Sequence, residues 1–303
     1  MNWKRLLKWL GATVVVVLTV ISGVAGIQLL RFHRAAHFVY DIDPLPLFAT
    51  SDSAVIQRGR HLAESLGNCL GCHGPDLGGA LVDDIGPIGR VSAPNLTTGR
   101  GGVGSQYTDG ELARAVRHGI GSDGRTLFYM PTPEHNWWPD SDVVAVVSFV
   151  RSMPPVDGAR EPSTVLPFGR ILDQFGVMQL RSAETVDHNV RPTELPDPEP
   201  TARYGAFLAR GCVLCHGEEM SGGRIPGAPS TIPIPTNLTP HETGLAGWTE
   251  GQFFQLIDTG RRPDGTALDP FMPIGVLRAM NDIERRALWA HLRSLEPREF
   301  GSR

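Results

Sequence analysis

The sequence contains little cysteine, little excess charge of either sign, and little of the apolar and polar alternation that marks β-strands. Four cysteines occur among 303 residues, and 28 basic side chains stand against 32 acidic ones, for a formal net charge of −4. This balance excludes the basic surface of a nucleic-acid-binding protein, so we expect no nucleic-acid partner. Apolar residues make up 41% of the chain, enough to bury a core in each of two modest domains. With strand patterning scarce and 35 glycines and 25 prolines available for loops, the sequence predicts an all-α fold of compact helices.

Long hydrophobic runs are absent too, with one exception at the N-terminus. The 22 residues from Trp9 to Leu30 carry no charge, and at about 1.5 Å per residue such a helix crosses the roughly 30 Å hydrocarbon core of a membrane. Residues 1–34 are therefore predicted to form a transmembrane anchor, and the basic residues before the run favour a cytoplasmic N-terminus. A cleaved signal sequence with a small-residue site at residues 23–25 is the alternative. Either one exports the rest of the chain.

The four cysteines fall in two copies of one pentapeptide, CLGCH and CVLCH. These contain Cys69, Cys72 and His73 in the first copy and Cys212, Cys215 and His216 in the second. C-x-x-C-H is the attachment signature of c-type haem, in which the cysteines form thioethers with the porphyrin and the histidine becomes the proximal iron ligand. A turn with cysteines three residues apart reaches two neighbouring pyrrole edges and leaves the next residue beneath the iron. The sequence therefore predicts two covalently bound haem c groups.

Three other uses of paired cysteines fit less well. A thioredoxin-like dithiol requires a βαβ setting, which the sequence does not show. A zinc site would pair its C-x-x-C units across about 15–20 residues, whereas the length of a whole domain separates Cys72 from Cys212. An accidental structural cluster could account for one pentapeptide, but hardly for two that contain every cysteine of the chain.

The two halves of the chain form a tandem repeat at a shift of about 142 residues. The shift aligns the two pentapeptides and, after them, Asn-Leu-Thr, Asp-Gly and Met-Pro segments. Each repeat is predicted to hold a helix before its cysteines, a capping-box helix at residues 108–111 or 249–252, and a closing amphipathic helix. Gly59 and Gly205, in the helices before the cysteines, would permit a close helix crossing.

Each predicted haem needs a second axial ligand, and thioether sulfur is the usual choice in a cytochrome of high potential. Met130 follows His73 at almost the same distance along the chain as Met272 follows His216. Each methionine precedes a proline, which fixes the local backbone and helps to hold a loop ligand against the iron. We therefore predict Met130 and Met272 as the axial ligands opposite the two histidines.

The other candidate ligands lack this repeat symmetry. We expect the remaining histidines at the surface or in hydrogen bonds, and the remaining methionines in packing or at the surface: His61, His118, His135, His188, His241 and His291, and Met153, Met178, Met220 and Met280. Asn95 and Asn237, each followed by Leu-Thr, either hydrogen-bond a haem propionate or hold a turn. Three tryptophans are expected in ordinary core packing: Trp137, Trp138 and Trp248.

Composition divides the chain after the anchor into four parts. Residues 35–53 are predicted to tether the first domain, residues 54–154, to the membrane. Residues 155–200 form a proline-rich linker, with an apolar insert around residues 166–180 that is expected to pack as a helix on a domain surface. The second domain comprises residues 201–303.

From about residue 50 onward the chain resembles a known family. Its C-x-x-C-H domains with N-L-T, WTEGQF, D-G, M-P and LRSL segments are similar to the membrane-anchored cytochrome c subunits of periplasmic alcohol, aldehyde and gluconate dehydrogenase complexes. The second repeat, with NLTPHETGLAGWTEGQF, matches more closely than the first. Those subunits commonly carry three haems, whereas this chain has motifs for two.

The resemblance implies two tandem cytochrome c domains after a single N-terminal transmembrane helix, anchored in the bacterial inner membrane with the haem domains in the periplasm. It implies a relay of single electrons from a periplasmic dehydrogenase toward quinone, an oxidase or another cytochrome, with no catalysis by the chain itself. One alternative is a dihaem peroxidase-type enzyme with one open haem, which the two Met-Pro segments disfavour. Another is a haem-bearing assembly subunit that passes no current.

Overall fold

The computed structural model describes residues 3–190, 194–226, 228 and 232–303. Over these residues the chain forms a long N-terminal helix, two helical repeats and a small sheet beside the first repeat. The predicted linker, residues 155–200, is described except for residues 191–193.

The N-terminal helix, α1, covers Trp3–Ala36. Among the described residues it is the one helix long and apolar enough to cross a membrane. Most of its side chains are exposed, but Gln28 and Phe32 near its C-terminal end are buried against the rest of the chain. The helix is therefore attached to the first repeat at that end.

The predicted tether is a strap held by hydrogen bonds to the first repeat. The backbone N–H of Leu45 donates to the Gly110 carbonyl at 3.1 Å, and that of Ala49 donates to the Asp109 carboxylate at 2.9 Å. The Arg114 guanidinium donates to the carbonyl of Ile42 at 2.8 Å. Because these contacts recur along the strap, it fixes the first repeat close to the end of α1.

The first repeat is helical and is opened and closed by two packed helices. Its elements are α2, Ser53–Glu64; α3, Cys69–His73; α4, Asp109–His118; a 3₁₀ turn, Thr132–Glu134; and α5, Asp140–Ser152. The predicted capping box at the start of α4 is present, with the Thr108 hydroxyl accepting from the Glu111 N–H and the Glu111 carboxylate accepting from the Thr108 N–H.

A three-stranded antiparallel sheet corrects the expectation of an all-α fold. Strand β1, Ala80–Asp84, pairs with β2, Gly89–Ala93, which pairs with β3, Thr164–Val165. The hairpin has a local cause, because β-branched side chains flank a Gly-Pro turn at residues 86–87. Its strands are short and β1 is mostly exposed, so they carry little alternation. The linker supplies β3 and then α6, Pro167–Gln174, which confirms the helix expected in the apolar insert.

The second repeat has the same order of helices. Its elements are α7, Ala202–Leu208; a 3₁₀ turn, Ala209–Cys212; α8, Val213–His216; α9, Glu250–Thr259; α10, Ile274–Ala279; and α11, Asp282–Ser294. The predicted capping box of Thr249 and Gln252 opens α9. Backbone dihedrals match as well: Leu77 and Met220, equivalent residues after the two pentapeptides, both adopt a φ of 55°.

The opening and closing helices of each repeat cross at a glycine, as predicted. A Cβ added to Gly59 would lie 1.9 Å from the carbonyl oxygen of Ala145 in α5, and one added to Gly205 would lie 1.9 Å from that of Ala287 in α11. No side chain fits at that separation, so glycine is required for the two backbones to touch.

One hydrophobic core joins the two repeats, and a second core lies within the second repeat. A single buried cluster joins Leu62 and Trp137 of the first repeat to Phe207 and Ala287 of the second. The Trp137 and Phe207 rings meet edge to face with centroids 5.1 Å apart, and the guanidinium of Arg210 lies 4.5 Å from the Trp137 ring. The expected use of Trp137 in core packing is confirmed, and the core it enters lies between the repeats.

A buried polar cluster stands beside this shared core. The carboxylate of Glu284, at the start of α11, lies 2.8 Å from His61 Nε2 and accepts a hydrogen bond from the Tyr204 hydroxyl at 3.3 Å. Arg58 lies 3.7 Å from the same carboxylate and donates two hydrogen bonds to Asp142, each of 3.1 Å. Helices α2 and α5 are therefore tied to α7 and α11 by charge as well as by apolar contact.

Candidate functional site

Both pentapeptides form short helical turns that end at a glycine. Residues Cys69–His73 form α3, and in the second repeat a 3₁₀ turn that ends at Cys212 leads directly into α8. Gly74 and Gly217 follow the two histidines with φ of 82° in both cases. That left-handed region favours glycine, so each helical turn ends at its histidine, immediately before the glycine.

The two histidines are held by the same hydrogen bond. His73 Nδ1 donates to the Pro94 carbonyl at 2.9 Å, and His216 Nδ1 donates to the Thr236 carbonyl at 2.8 Å. A carbonyl oxygen can only accept, so Nδ1 carries the proton and Nε2 is left with the lone pair that a metal ligand needs. Burial lowers the pKa of both imidazoles, against the opposing effect of these hydrogen bonds, and so favours the neutral ligand form.

The four cysteines lie in an environment that disfavours thiolate. Burial, together with the neighbouring cysteine of each motif, raises the pKa of Cys69 and of Cys212 to about 12. A redox-active dithiol and a zinc site both need a lowered thiol pKa. In the described part of the chain, no three His, Cys, Asp or Glu side chains converge as a metal site would require. Two cysteines three residues apart, followed by a histidine whose Nε2 makes no such hydrogen bond, fit thioether attachment of haem with histidine ligation.

The predicted axial methionines occupy identical backbone turns. The Thr132 N–H donates to the Met130 carbonyl at 2.8 Å, and the Ile274 N–H donates to the Met272 carbonyl at 2.7 Å. The intervening prolines have φ and ψ of −79° and 60° in the first repeat and −76° and 64° in the second, which are inverse γ-turn values. Met272 packs at the edge of the second core together with Cys212. Ligation by Met130 and Met272 stays a prediction.

The Asn-Leu-Thr segments act as turn anchors in the structure. The side-chain oxygen of buried Asn95 accepts from the N–H and the hydroxyl of Thr97, and its Nδ2 donates to the Val156 carbonyl at 2.7 Å. Asn237 repeats the pattern with Thr239. Because both ends of each amide are satisfied by protein, the turn reading accounts for these residues.

The other histidines and methionines lie where they were expected. His61, His135 and His241 make hydrogen bonds, and His118 and His188 contact each other. Met220 and Met280 are buried in the second core, Met153 packs beside Cys69, and Met178 packs near Phe32.

Two arginines beside the motifs were missed by the sequence reasoning. Arg160 Nε donates to the Gly78 carbonyl at 3.1 Å and to that of Gly79 at 3.0 Å, in the loop after the first pentapeptide. Arg303 donates to the carbonyls of Cys215 and Gly223 at 2.8 and 2.9 Å. The spacing between the two arginines matches the offset between the two pentapeptides, so the repeat shift itself was the signal that could have found them.

Glu134 is a further residue that the sequence reasoning missed, and it acts on both motifs. Burial and then the charge of Glu134 raise the pKa of Cys72 and of Cys215, and the Cys212 thiol feels the same charge. Burial raises the pKa of Glu134 itself. The charge of Glu134 therefore acts on cysteines of both motifs, and repeat symmetry could not reveal it because the equivalent residue of the second repeat is Val276.

Comparison with known proteins gives one family match, at the first repeat. Residues 56–154 match the family described as cytochrome c. The chain is 27% identical over 281 residues to the fructose dehydrogenase cytochrome subunit of Gluconobacter japonicus, covering 84% of this chain and 54% of that protein. It is 30% identical over 240 residues to the cytochrome c subunit of the alcohol dehydrogenase (quinone) of Gluconobacter oxydans, covering 70% of this chain and 48% of that protein.

A further relative is similar in length to this chain. It is the diheme cytochrome c-type protein of Cereibacter sphaeroides, 27% identical over 308 residues, with 91% of this chain and 95% of that protein covered. The chain therefore spans about half the length of the two dehydrogenase subunits and nearly all of the dihaem protein.

Proposed function

Because residues 56–154 are a cytochrome c domain in a chain related to cytochrome subunits of dehydrogenases, we propose that this protein is a dihaem electron carrier. It would pass single electrons from a dehydrogenase toward the respiratory chain. The observation that carries the proposal is the duplicated C-x-x-C-H turn, with each histidine fixed by Nδ1 to a backbone carbonyl.

In each repeat, different residues would make the different bonds to one haem c. Cys69 and Cys72, or Cys212 and Cys215, would form the thioethers. Nε2 of the adjacent histidine would bind iron, and the methionine of the Met-Pro turn would be the second protein ligand of the iron. A bound haem supplies one-electron Fe(III)/Fe(II) chemistry.

The shared core between the repeats gives the two sites a fixed relation. Packing of Trp137 on Phe207 and the contacts of Glu284 hold the repeats together, and the charge of Glu134 raises the pKa of a thiol in each motif. A fixed relation suits transfer between the two haems because no domain movement is needed. The second repeat is thus proposed as a second cytochrome c domain.

We place the two repeats in the periplasm of a bacterium, with α1 as an anchor in the inner membrane. Helix α1 is long and apolar enough to span, and thioether attachment of haem occurs outside the cytoplasm. The proposed donor is a dehydrogenase subunit, as the names of the relatives suggest, and the proposed acceptors are a quinone, an oxidase or another cytochrome.

The test is the visible and near-infrared spectrum of the haem-loaded full chain, oxidised and reduced, with haem counted per chain. We expect two low-spin haems and the weak methionine-to-iron band. The double variant Cys69→Ala and Cys72→Ala should retain one haem, held by the second repeat. A high-spin or peroxide-responsive haem would contradict the carrier role and favour a peroxidase-type enzyme, and a single haem in the unaltered chain would contradict the dihaem assignment.

A further inference from the structure

The linker insert presents an apolar surface to solvent. We define the insert surface as the exposed residues Leu166, Pro167, Phe168, Phe175, Gly176, Val177 and Gln179. The two phenylalanines are each more than half exposed, Phe168 at 51% and Phe175 at 56%. None of the seven residues is charged, so the insert surface presents no ionic group to solvent.

The charged side chains of the insert point inward. The guanidinium of Arg170 lies over the Phe32 ring of α1 at 5.6 Å, and its Nε donates to the Val165 carbonyl at 2.7 Å. Asp173 is buried and accepts from Arg181 Nε at 2.8 Å. Helix α6 thus exposes Phe168 while its two charged side chains contact protein partners, unlike a typical surface helix whose charged side chains face water.

Helix α6 packs against the end of α1, at the edge of its uncharged run. The cluster between them contains Phe32, Val165 and Leu180. Phe32 comes two residues after the run ends at Leu30 and Gln28 two residues before, so both lie within about 3 Å of that boundary along the helix. Both are buried by the rest of the chain. The insert therefore sits at the level where α1 would leave a bilayer.

The charge around the insert favours lipid over a protein as its neighbour. Arg31 and Arg34 are exposed on the same end of α1, where basic side chains meet phosphate headgroups. Aromatic residues such as Phe168 and Phe175 beside such a basic rim are typical of segments that lie in the membrane interface.

We propose that the insert surface enters the outer headgroup region of the bilayer that α1 spans, as a second membrane contact of the chain. This inference rests on the proposed anchoring by α1. The strap between α1 and α2 already ties the first repeat to the end of α1. Together with it, the second membrane contact holds the first repeat in one orientation and prevents rotation about the end of α1.

The experiment uses the haem-loaded full chain in phosphatidylcholine and phosphatidylglycerol vesicles. Haem attachment consumes all four native cysteines, so a cysteine introduced by Phe168→Cys is the one free thiol for an environment-sensitive fluorophore. The matched control is Leu81→Cys, on β1, where a comparably exposed apolar side chain pairs with Ser92, at the opposite end of β2 from the residues that pair with β3. We expect quenching by acyl-chain spin labels to be several-fold stronger at position 168 than at 81, and quenching by aqueous iodide to be correspondingly weaker.

A third label, at Val17→Cys within α1, distinguishes failure of the insert contact from failure of the anchoring by α1. If position 17 is quenched by lipid and position 168 behaves like 81, the insert surface does not enter the bilayer and the inference is wrong, while the anchor stands. If position 17 also stays outside lipid, the anchoring is wrong. Protection of position 168 from iodide without quenching by lipid labels would assign the surface to a protein partner and overturn the inference.

Discussion

At the scale of single residues, the Met-Pro turns are the part of the site most open to test. Replacement of Met130 or Met272 by alanine removes one predicted thioether ligand and leaves the inverse γ-turn, which depends on backbone atoms and proline. Each single variant should lose about half of the methionine-to-iron band and gain one high-spin or water-ligated haem. The readout is the near-infrared spectrum of the oxidised protein.

Met153 provides the control for those variants. It also precedes a proline, but it packs beside Cys69 and Leu77 in a small hydrophobic cluster of the first repeat. Met153→Ala should lower stability and leave the band at full strength. An unchanged band in Met130→Ala or Met272→Ala would remove that methionine from the ligand set.

The residue scale also shows why some of the site was predictable and some was not. The cysteines and histidines could be found because their chemistry fixes their spacing within one short motif. The role of Asn95 was left open because its partners Val156 and Gly158 lie far along the sequence, beyond the closing helix of the repeat, and only the fold shows that they satisfy the amide. Glu134 belongs to no local motif, and the equivalent residue of the second repeat is not acidic. The sequence therefore gives no sign that its charge acts on both motifs.

At the scale of elements, the glycine crossings are the contacts most sensitive to substitution. Gly59→Ala or Gly205→Ala would force a methyl group into a carbonyl oxygen of the facing helix, so the helices must separate. We expect each variant to lower the free energy of unfolding by about 1–3 kcal/mol, measured by urea denaturation of the haem-loaded protein.

Gly251 in α9 is the matched control for the crossing glycines. A Cβ there meets nothing within 4 Å, so Gly251→Ala should be neutral or stabilising by up to about 1 kcal/mol. A loss in Gly251→Ala as large as the losses in Gly59→Ala and Gly205→Ala would mean that the close crossing is not what makes those two positions sensitive.

The elements themselves were predicted unevenly, for a physical reason. Helices α4, α5, α9 and α11 carry capping or amphipathic signals within one window and were all expected. Strand β3 is very short, and it pairs with a β2 strand that precedes it by most of the first repeat. Its existence therefore depends on a tertiary contact that no local pattern records.

At the scale of the whole molecule, Glu134 links the electrostatics of the two repeats. Its negative charge stabilises the oxidised, more positive haem iron, so Glu134→Gln should raise both midpoint potentials by an amount on the order of tens of mV. The measurement is a spectroelectrochemical titration, with Glu199→Gln in the exposed linker as the control that should shift neither potential.

The effect of pH on that shift has a definite sign. Burial raises the pKa of Glu134, so at acidic pH the native carboxyl is neutral and resembles glutamine. The difference between the native protein and Glu134→Gln should therefore shrink as pH falls. A shift at only one haem would show that the carboxylate is not shared.

The buried carboxylate of Glu284 contacts residues of both repeats, and its titration makes the stability of the fold depend on pH. Burial alone would raise its pKa, but hydrogen bonding and charge from His61, with Asn281 and Arg58, outweigh burial and lower it. A carboxyl with a lowered folded-state pKa stabilises the fold above its unfolded value of about 4.3, and this stabilisation is lost as pH falls through the folded value.

Glu284→Gln removes the charge and keeps an oxygen that can accept from the Asn281 N–H in the capping box of α11. We expect a loss of about 1–3 kcal/mol at pH 7 and a flatter dependence of unfolding free energy on pH below about 4. Glu111→Gln is the matched control, since Glu111 holds the same capping-box position in α4 but is only partly buried, whereas Glu284 is fully buried. If both variants lose equal stability, helix capping accounts for the effect and the contact between repeats does not depend on Glu284.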